Sequence, residues 1–211
     1  MDIASRETHF VNGLLDEAES LLKKAVSIGE KAPTRDLAWW YNNPGLIYSA
    51  QRRFGEAEQL FKEAIAIHEG AQMTAYPPLS TWYNNLASVY KTQCRLGEAE
   101  ALYKKAIDIL QKALPAEHPD LAPRYRNLAS LYRAQGRFQE AEPLYARALD
   151  ILERRWGSKH RDTRSVLADF TDLLKRQGRP DEADALLNRV APGHDDQPFL
   201  INEQSKCLQR Q

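Results

Sequence analysis

The stretch Asn85-Leu86-Ala87-Ser88-Val89-Tyr90 decides the fold, because it recurs along the chain at a spacing of 42 residues. Its other copies are Asn43-Pro44-Gly45-Leu46-Ile47-Tyr48, Asn127-Leu128-Ala129-Ser130-Leu131-Tyr132 and, in weaker form, Asp169-Phe170-Thr171-Asp172-Leu173-Leu174. A fixed period in the tens of residues predicts a solenoid, in which each repeat buries its apolar face against its neighbours. Solenoids present surfaces rather than catalytic pockets, so the sequence favours a binding function.

A second signature follows each copy in the same register. Its four copies begin at Gln51, Gln93, Gln135 and Gln177, and each contains a Glu-Ala pair. Apolar residues within each half recur at spacings of three, four and seven, which is typical of helices. Each repeat is therefore predicted to be two amphipathic helices, A and B, joined by a short turn. Gly136 and Gly178 suit the left-handed conformation that ends many helices.

Several motifs within these repeats resemble the tetratricopeptide repeat family. They are Asn-Asn-Leu-Ala at 84–87, His-Pro-Asp at 118–120, Gln-Gly-Arg-Phe at 135–138 and Glu-Ala-Glu-Pro-Leu-Tyr at 140–145. With a period of 42 residues in place of the usual ~34, they resemble the kinesin light chain subclass. The resemblance covers roughly residues 12–190. It implies an all-α, right-handed superhelix (an α-solenoid) of about five helix-turn-helix units, the first one degenerate.

The repeat register predicts a solenoid over residues 1–190, followed by a polar C-terminal tail over residues 191–211. The predicted repeats span about 1–31, 35–70, 78–114, 119–156 and 161–190. Pro44 lies inside the second A helix and is predicted to kink or break it. Proline there removes one hydrogen bond and clashes with the preceding turn, which costs about 3 kcal/mol.

The overall charge of the chain excludes some classes of partner. The 211 residues contain 29 Lys and Arg and 29 Asp and Glu, so no bulk attraction to nucleic acid or to a membrane is expected. The sequence has neither a membrane-spanning apolar stretch nor a secretory signal, which predicts a cytoplasmic location. Residues 124–180 nevertheless hold 13 basic residues against 7 acidic ones. This excess indicates either an acidic partner or a solvated Arg-rich surface.

The polar face of the A helices carries the candidate site. On a helical wheel, apolar positions such as Tyr83 and Leu86 point to the core, and the polar positions of successive repeats point away from it. The candidate peptide-binding residues are Asn84, Asn85, Ser88, Lys91, Arg126, Asn127, Ser130, Arg133 and Lys175.

Two residue types in this set suggest distinct roles. A ladder of Asn43, Asn85 and Asn127 offers amide donors and acceptors to an extended peptide backbone. A basic row of Lys91, Arg133 and Lys175 would select acidic side chains of that peptide. The resemblance implies these peptide contacts for Asn85, Asn127, Lys91 and Arg133. The alternative role for the Asn residues is hydrogen bonding within the solenoid.

No motif of the chain points to catalysis, a metal or a cofactor. His118-Pro119-Asp120 and His160-Arg161-Asp162 recur at the repeat period between helix pairs. We expect these His side chains to bond backbone groups and the Asp side chains to cap the next A helix. Neither a glycine-rich phosphate loop nor a metalloprotease motif occurs in the sequence. The chain is therefore not expected to be an enzyme.

The sequence predicts an adaptor that binds a protein or an extended, acidic peptide in the concave groove of the A helices. Two alternatives stay open: a regulatory domain that senses a peptide through a change of curvature, and a structural module that mediates oligomerisation. The sequence does not determine the oligomeric state or the identity of the partner.

Overall fold

The computed structural model describes residues 34–70 and 77–190. Within these ranges the chain forms eight α-helices and no strand: α1 Thr34–Ala50, α2 Phe54–Gly70, α3 Pro77–Thr92, α4 Leu96–Ala113, α5 Leu121–Ala134, α6 Phe138–Trp156, α7 Arg161–Arg176 and α8 Pro180–Val190. The predicted degenerate first repeat and the tail over 191–211 lie outside the described residues. The chain divides into two compact units, Met1–Thr74 and Ala75–Gln211.

The helices pack as successive A–B pairs. In the first compact unit α1 packs on α2, and in the second α3 packs on α4, α5 on α6 and α7 on α8. Within the second unit each B helix also contacts the next A helix, and the A helices α3, α5 and α7 contact one another in turn. This nearest-neighbour packing is that of an all-α tetratricopeptide solenoid, as predicted.

Alternation of small and large residues builds the core of the second unit. Ala87 and Ala129 on the A helices are fully buried and allow neighbouring helices to approach closely. Tyr103 and Tyr145 on the B helices are also buried and fill the space between layers. The repeated signature therefore specifies packing at these positions.

The predicted break at Pro44 is wrong, because α1 runs without interruption from Thr34 to Ala50. The next residue, Gly45, lets the backbone of α1 approach α2: a Cβ atom there would lie 2.7 Å from Phe61 Cε1. Both Pro44 and Phe61 are buried. Close packing on α2 thus offsets the cost of about 3 kcal/mol that proline imposes on a helix interior.

The turn between helix A and helix B uses a left-handed residue in all four described repeats. The positions are Arg52, Cys94, Gly136 and Gly178, with φ angles of 63°, 61°, 73° and 74°. The prediction for Gly136 and Gly178 is confirmed. The two non-glycine residues adopt the same conformation at an energetic cost, since Cβ disfavours it.

In the two C-terminal repeats, an arginine two residues after the turn glutamine links successive repeats. Arg137 donates to Glu100 of α4 and, at 2.7 Å, to Glu140 in the first turn of α6. Its guanidinium carbon lies 4.1 Å from the centroid of the Tyr132 ring. The hydrogen bond from Arg137 lowers the pKa of the Glu100 carboxyl to about 2. The same arrangement recurs at Arg179, which donates to α6 and to the first turn of α8.

The predicted roles of His and Asp between repeats need one correction. His160 is the N-cap of α7, and its Nδ1 accepts from the Asp162 backbone N–H at 3.2 Å. His118 Nδ1 likewise accepts from the Asp120 backbone N–H at 3.3 Å. The predicted bonds from His to backbone are confirmed, but Asp120 makes no side-chain capping bond to α5. Asp162 lies in the first turn of α7, where a negative charge suits the helix dipole.

Candidate peptide-binding site

The candidate site is the polar face shared by the A helices of the second compact unit, which we call the helix A face. Asn84, Ser88 and Lys91 follow one another on α3 at spacings of four and three, so their side chains lie on one side of the helix. The remaining members are Arg126, Asn127, Ser130 and Arg133 on α5 and Asp169, Asp172 and Lys175 on α7. All are half-buried except Lys175, which is exposed.

The asparagine contact differs in register from the predicted ladder. Asn127 Nδ2 donates to Asn84 Oδ1 at 2.8 Å, so its partner on α3 is Asn84 in place of Asn85. This bond is the solenoid-internal role that the sequence left as the alternative. The amide nitrogen of Asn84 and the amide oxygen of Asn127 do not take part in this bond and have no partner among the described residues. Asn85 is half-buried, and Asn43 lies in the first compact unit, where it accepts from Asn42.

Lys91 is the most unusual cation on the helix A face. Its ammonium donates to the Ser130 hydroxyl at 2.8 Å, and this neutral group is its one hydrogen-bond partner among the described residues. Burial, together with the nearby positive charge of Arg133, lowers the pKa of Lys91 to about 8, although the carboxylate of Asp169 partly opposes this shift. A charge that leaves water without a carboxylate partner destabilises the fold.

The two arginines of the face are paired within the chain. Arg126 Nε donates to Asp169 Oδ2 at 2.6 Å, and Arg133 Nη1 donates to Asp172 Oδ2 at 2.9 Å and to Asp169 Oδ1 at 3.4 Å. The sequence identified Arg126 and Arg133 as candidates but not the two aspartates as their counter-ions. Arg176 Nε also donates to Asp172 Oδ2, at 2.8 Å. Two carboxylates thus pair with three guanidinium groups, and Lys91 is the cation of this cluster that has no carboxylate partner among the described residues.

Two recurring offsets describe most of these contacts. Side-chain hydrogen bonds between successive A helices mostly join residues 39 or 43 positions apart, as in Lys91–Ser130 and Arg126–Asp169, and the longer contact of Arg133 with Asp169 spans 36 positions. Residues 42 apart occupy equivalent sites in successive layers, but side chains lean along the helix axis and reach a residue one or a few positions away from the equivalent one. Searching the sequence for opposite charges at these two offsets would have found the Arg126–Asp169 and Arg133–Asp172 pairs.

Two further predicted residues have clear places on the face. The Ser88 hydroxyl lies 2.9 Å from the buried Tyr103 hydroxyl, a contact that ties α3 to α4. Lys175 lies on the exposed side of α7 and forms no ion pair with any residue that the structure describes. None of the helices in the described ranges is both long and apolar enough to cross a membrane.

Comparison with known proteins agrees with this architecture. The family model for the tetratricopeptide repeat matches residues 7–70, 78–154 and 125–193. No curated protein matches the chain significantly.

Solved structures match most of the chain. The crystal structure of BtubC (BKLC) from P. vanneervenii has a TM-score of 0.77 at 20% identity, and the match covers 94% of this chain and 84% of that one. A Podospora anserina putative kinesin light chain with nearly identical TPR-like repeats has a TM-score of 0.68 at 25% identity, covering 87% of this chain and 89% of that one. A variant of the Podospora protein scores 0.70 at the same identity, covering 87% and 88%. The chain therefore belongs to the tetratricopeptide repeat family, and its fold is similar to that of kinesin light chain-like members.

Proposed function

We propose that the protein is an adaptor whose helix A face binds an extended peptide segment carrying at least one carboxylate. Tetratricopeptide repeats generally mediate protein–protein interactions, so a protein ligand is the starting expectation. The observation that carries the proposal is Lys91: a half-buried ammonium whose hydrogen-bond partner among the described residues is a neutral hydroxyl. A ligand carboxylate would supply the missing charge and form a charge-assisted hydrogen bond.

The asparagine pair supports a contact with the peptide backbone. The bond between Asn127 and Asn84 fixes both amide planes and leaves the Asn84 amide nitrogen as a donor and the Asn127 amide oxygen as an acceptor on the same face. An extended peptide offers alternating N–H and C=O groups that can satisfy both. Asn84 and Lys91 share one side of α3, so a single peptide could reach the amide pair and the ammonium together.

Internal pairing restricts where an acidic side chain would bind. Asp169 and Asp172 already neutralise Arg126 and Arg133, so a second carboxylate there would meet two negative charges. We therefore assign the principal acidic contact to Lys91 and secondary contacts to Arg126, Arg133 and the exposed Lys175. A ligand with one or two acidic residues fits this face better than a long acidic run.

A random-peptide display selection on the full chain tests the proposal. Selection is run in parallel on the wild type and on a Lys91→Met variant, which keeps an unbranched side chain one atom shorter and removes its charge. We expect the wild type to enrich extended sequences with an acidic residue at one fixed position. The variant should lose that enrichment while its helical circular dichroism stays unchanged.

A double variant separates the backbone contact from folding. Asn84→Ala with Asn127→Ala should weaken binding of the enriched peptides about tenfold, which corresponds to roughly 1.4 kcal/mol. Thr92→Ala with Gln93→Ala, at the last residue of the same helix and the residue after it, is the matched control and should bind normally. Enrichment of neutral peptides alone, or equal enrichment by wild type and Lys91→Met, would refute the proposal.

A further inference from the structure

A second charged surface lies away from the helix A face, where α6 ends and α7 begins. Residues 154–164 contain five Lys and Arg and one acidic residue. The equivalent residues one repeat earlier, 112–122, contain one Lys and two acidic residues. Both segments span the same B-to-A connection, and both connections place a His in the same backbone contact. The basic residues are therefore not a requirement of the repeat fold.

Three of these five cations have no ion-pair partner among the residues that the structure describes. Arg154 donates to Asp150 at 3.0 Å and to Glu117 of the preceding connection at 2.9 Å. Arg155, Lys159 and Arg161 are all exposed, and none forms an ion pair with another described residue. Three unpaired charges thus surround one short loop.

An exposed tryptophan lies among these charges. Trp156 is 43% exposed, and its ring centroid lies 4.5 Å from that of His160 at an interplanar angle of 33°. The bond from the Asp162 backbone N–H to Nδ1 fixes the His160 ring, which in turn supports the indole. The equivalent of Trp156 in the preceding repeat is Leu114, which is half-buried. A large aromatic residue held in solvent beside Arg side chains is typical of interaction sites.

We propose that Arg155, Trp156, Lys159 and Arg161, here called the Trp156 loop, bind a short acidic segment of a protein partner. Carboxylates of the segment would pair with the three cations, and one apolar side chain would pack on the indole. Glu117 and Asp150 both accept from Arg154 beside this loop, Asp162 follows it in sequence, and the net charge of the chain is zero. A long polyanion such as single-stranded nucleic acid would meet these acidic neighbours, whereas a short segment would not. This site is separate from the helix A face and does not depend on the function proposed for it.

Fluorescence anisotropy with a defined probe tests this assignment. The probe is a fluorescein-labelled peptide of six glutamates with a leucine at its centre, titrated with the full chain at 50 mM and 150 mM salt. We expect binding that weakens with salt, and a loss of about tenfold in affinity when Arg155, Lys159 and Arg161 are all changed to Ser. Trp156→Leu, which restores the residue type of the preceding repeat, should weaken binding severalfold.

Two controls separate this site from general charge effects and from the helix A face. Changing Lys62, Lys104 and Lys112 to Ser removes the same charge from exposed residues paired within their own helices, and binding should change less than twofold. Lys91→Met should leave this binding unchanged.

Three results would overturn the inference about the Trp156 loop. They are absence of probe binding by the wild type, equal losses in the two triple variants, and retention of binding by the Arg155, Lys159 and Arg161 variant. Stronger competition by a six-nucleotide oligothymidylate than by unlabelled peptide would also overturn it and assign the loop to nucleic acid. If Lys91→Met alone abolishes probe binding, the probe binds to the helix A face. That result would refute the site at the Trp156 loop and leave the function proposed for the helix A face intact.

Discussion

The half-buried ammonium of Lys91 destabilises the free protein, and a ligand carboxylate would offset that free-energy cost. Its pKa is lowered to about 8, mainly by burial, whereas in the unfolded chain the lysine titrates near its ordinary value of 10.5. The unfolded state therefore binds more protons between these two values. The linkage sign follows: the cost of Lys91 is fully present below pH 8 and disappears as pH rises toward 10.5.

This cost predicts that Lys91→Met stabilises the protein. We expect a gain of about 1–2 kcal/mol at pH 7 that shrinks toward zero at pH 10, because the charge that resists burial is removed. Urea denaturation at both pH values measures it. The matched change Lys112→Met, at an exposed lysine, should have no effect beyond about 0.5 kcal/mol. A Lys91→Met variant that is less stable than the wild type at pH 7 would contradict this account of the site.

Glycine has opposite roles at two positions that the sequence alone does not separate. Gly136 has a φ angle of 73°, whereas Gly97 lies inside α4, and a Cβ at either position would meet nothing within 4 Å. Gly136→Ala should therefore destabilise by about 1 kcal/mol through backbone strain. Gly97→Ala should stabilise by up to about 1 kcal/mol through helix propensity. Thermal unfolding of both variants checks this pair, and a shift in the same direction for both would refute it.

At the scale of helices, the arginine contacts between repeats make stability depend on carboxylates. Glu100 is 17% exposed and accepts from Arg137 and from Lys104. Its pKa is lowered to about 2, so its contribution is present above its ordinary value of 4.5 and is lost as pH falls from there toward 2.

This arrangement predicts a pH-dependent effect of Glu100→Gln. The variant should lose about 1–3 kcal/mol at pH 7, because Arg137 keeps its charge and loses a carboxylate partner. The loss should be smaller at pH 3, where the wild-type carboxylate begins to protonate. Glu98→Gln, two residues away on the exposed side, should cost less than about 1 kcal/mol. Equal losses of unfolding free energy for the two variants in urea denaturation would contradict the stabilising role assigned to the contact between Glu100 and Arg137.

The alternation of helices was predictable from the sequence, whereas two local features were not: the continuity of α1 through Pro44 and the residue that caps α7. The 42-residue period records which positions are equivalent, and apolar spacing within it identifies helices. Continuity through Pro44 depends on the approach of α1 to Phe61, a tertiary contact that propensity does not contain. The histidine cap of α7 arises because Nδ1 of His160 reaches the N–H two residues on, a role usually given to Asp.

The candidate site was predictable as a face but not as a set of pairs. Helical spacing places Asn84, Ser88 and Lys91 on one side of α3, where all three are half-buried. The pairing of Arg126 and Arg133 with aspartates follows from the 39- and 43-residue offsets, which depend on how A helices lie against each other. The expected row of free cations is therefore reduced to Lys91 and the exposed Lys175.

At the scale of the whole molecule, the second compact unit presents two separate surfaces for acidic ligands. The helix A face offers a single half-buried ammonium beside an amide pair, and the Trp156 loop offers three exposed cations around an indole. The first favours an extended peptide with few acidic residues, and the second favours a short cluster of them. A single partner with both features could bind the two surfaces with increased avidity.

The central claim is that the Lys91 ammonium binds a ligand carboxylate on the helix A face, and its pH dependence tests this most directly. The dissociation constant of a selected peptide, acetylated and free of groups that titrate between pH 7 and 10, is measured over that range for the wild type and for Lys91→Arg. We predict that wild-type affinity falls about tenfold or more above pH 8 as Lys91 loses its proton, while Lys91→Arg stays charged and nearly constant. An affinity that is independent of pH in both proteins would contradict the claim.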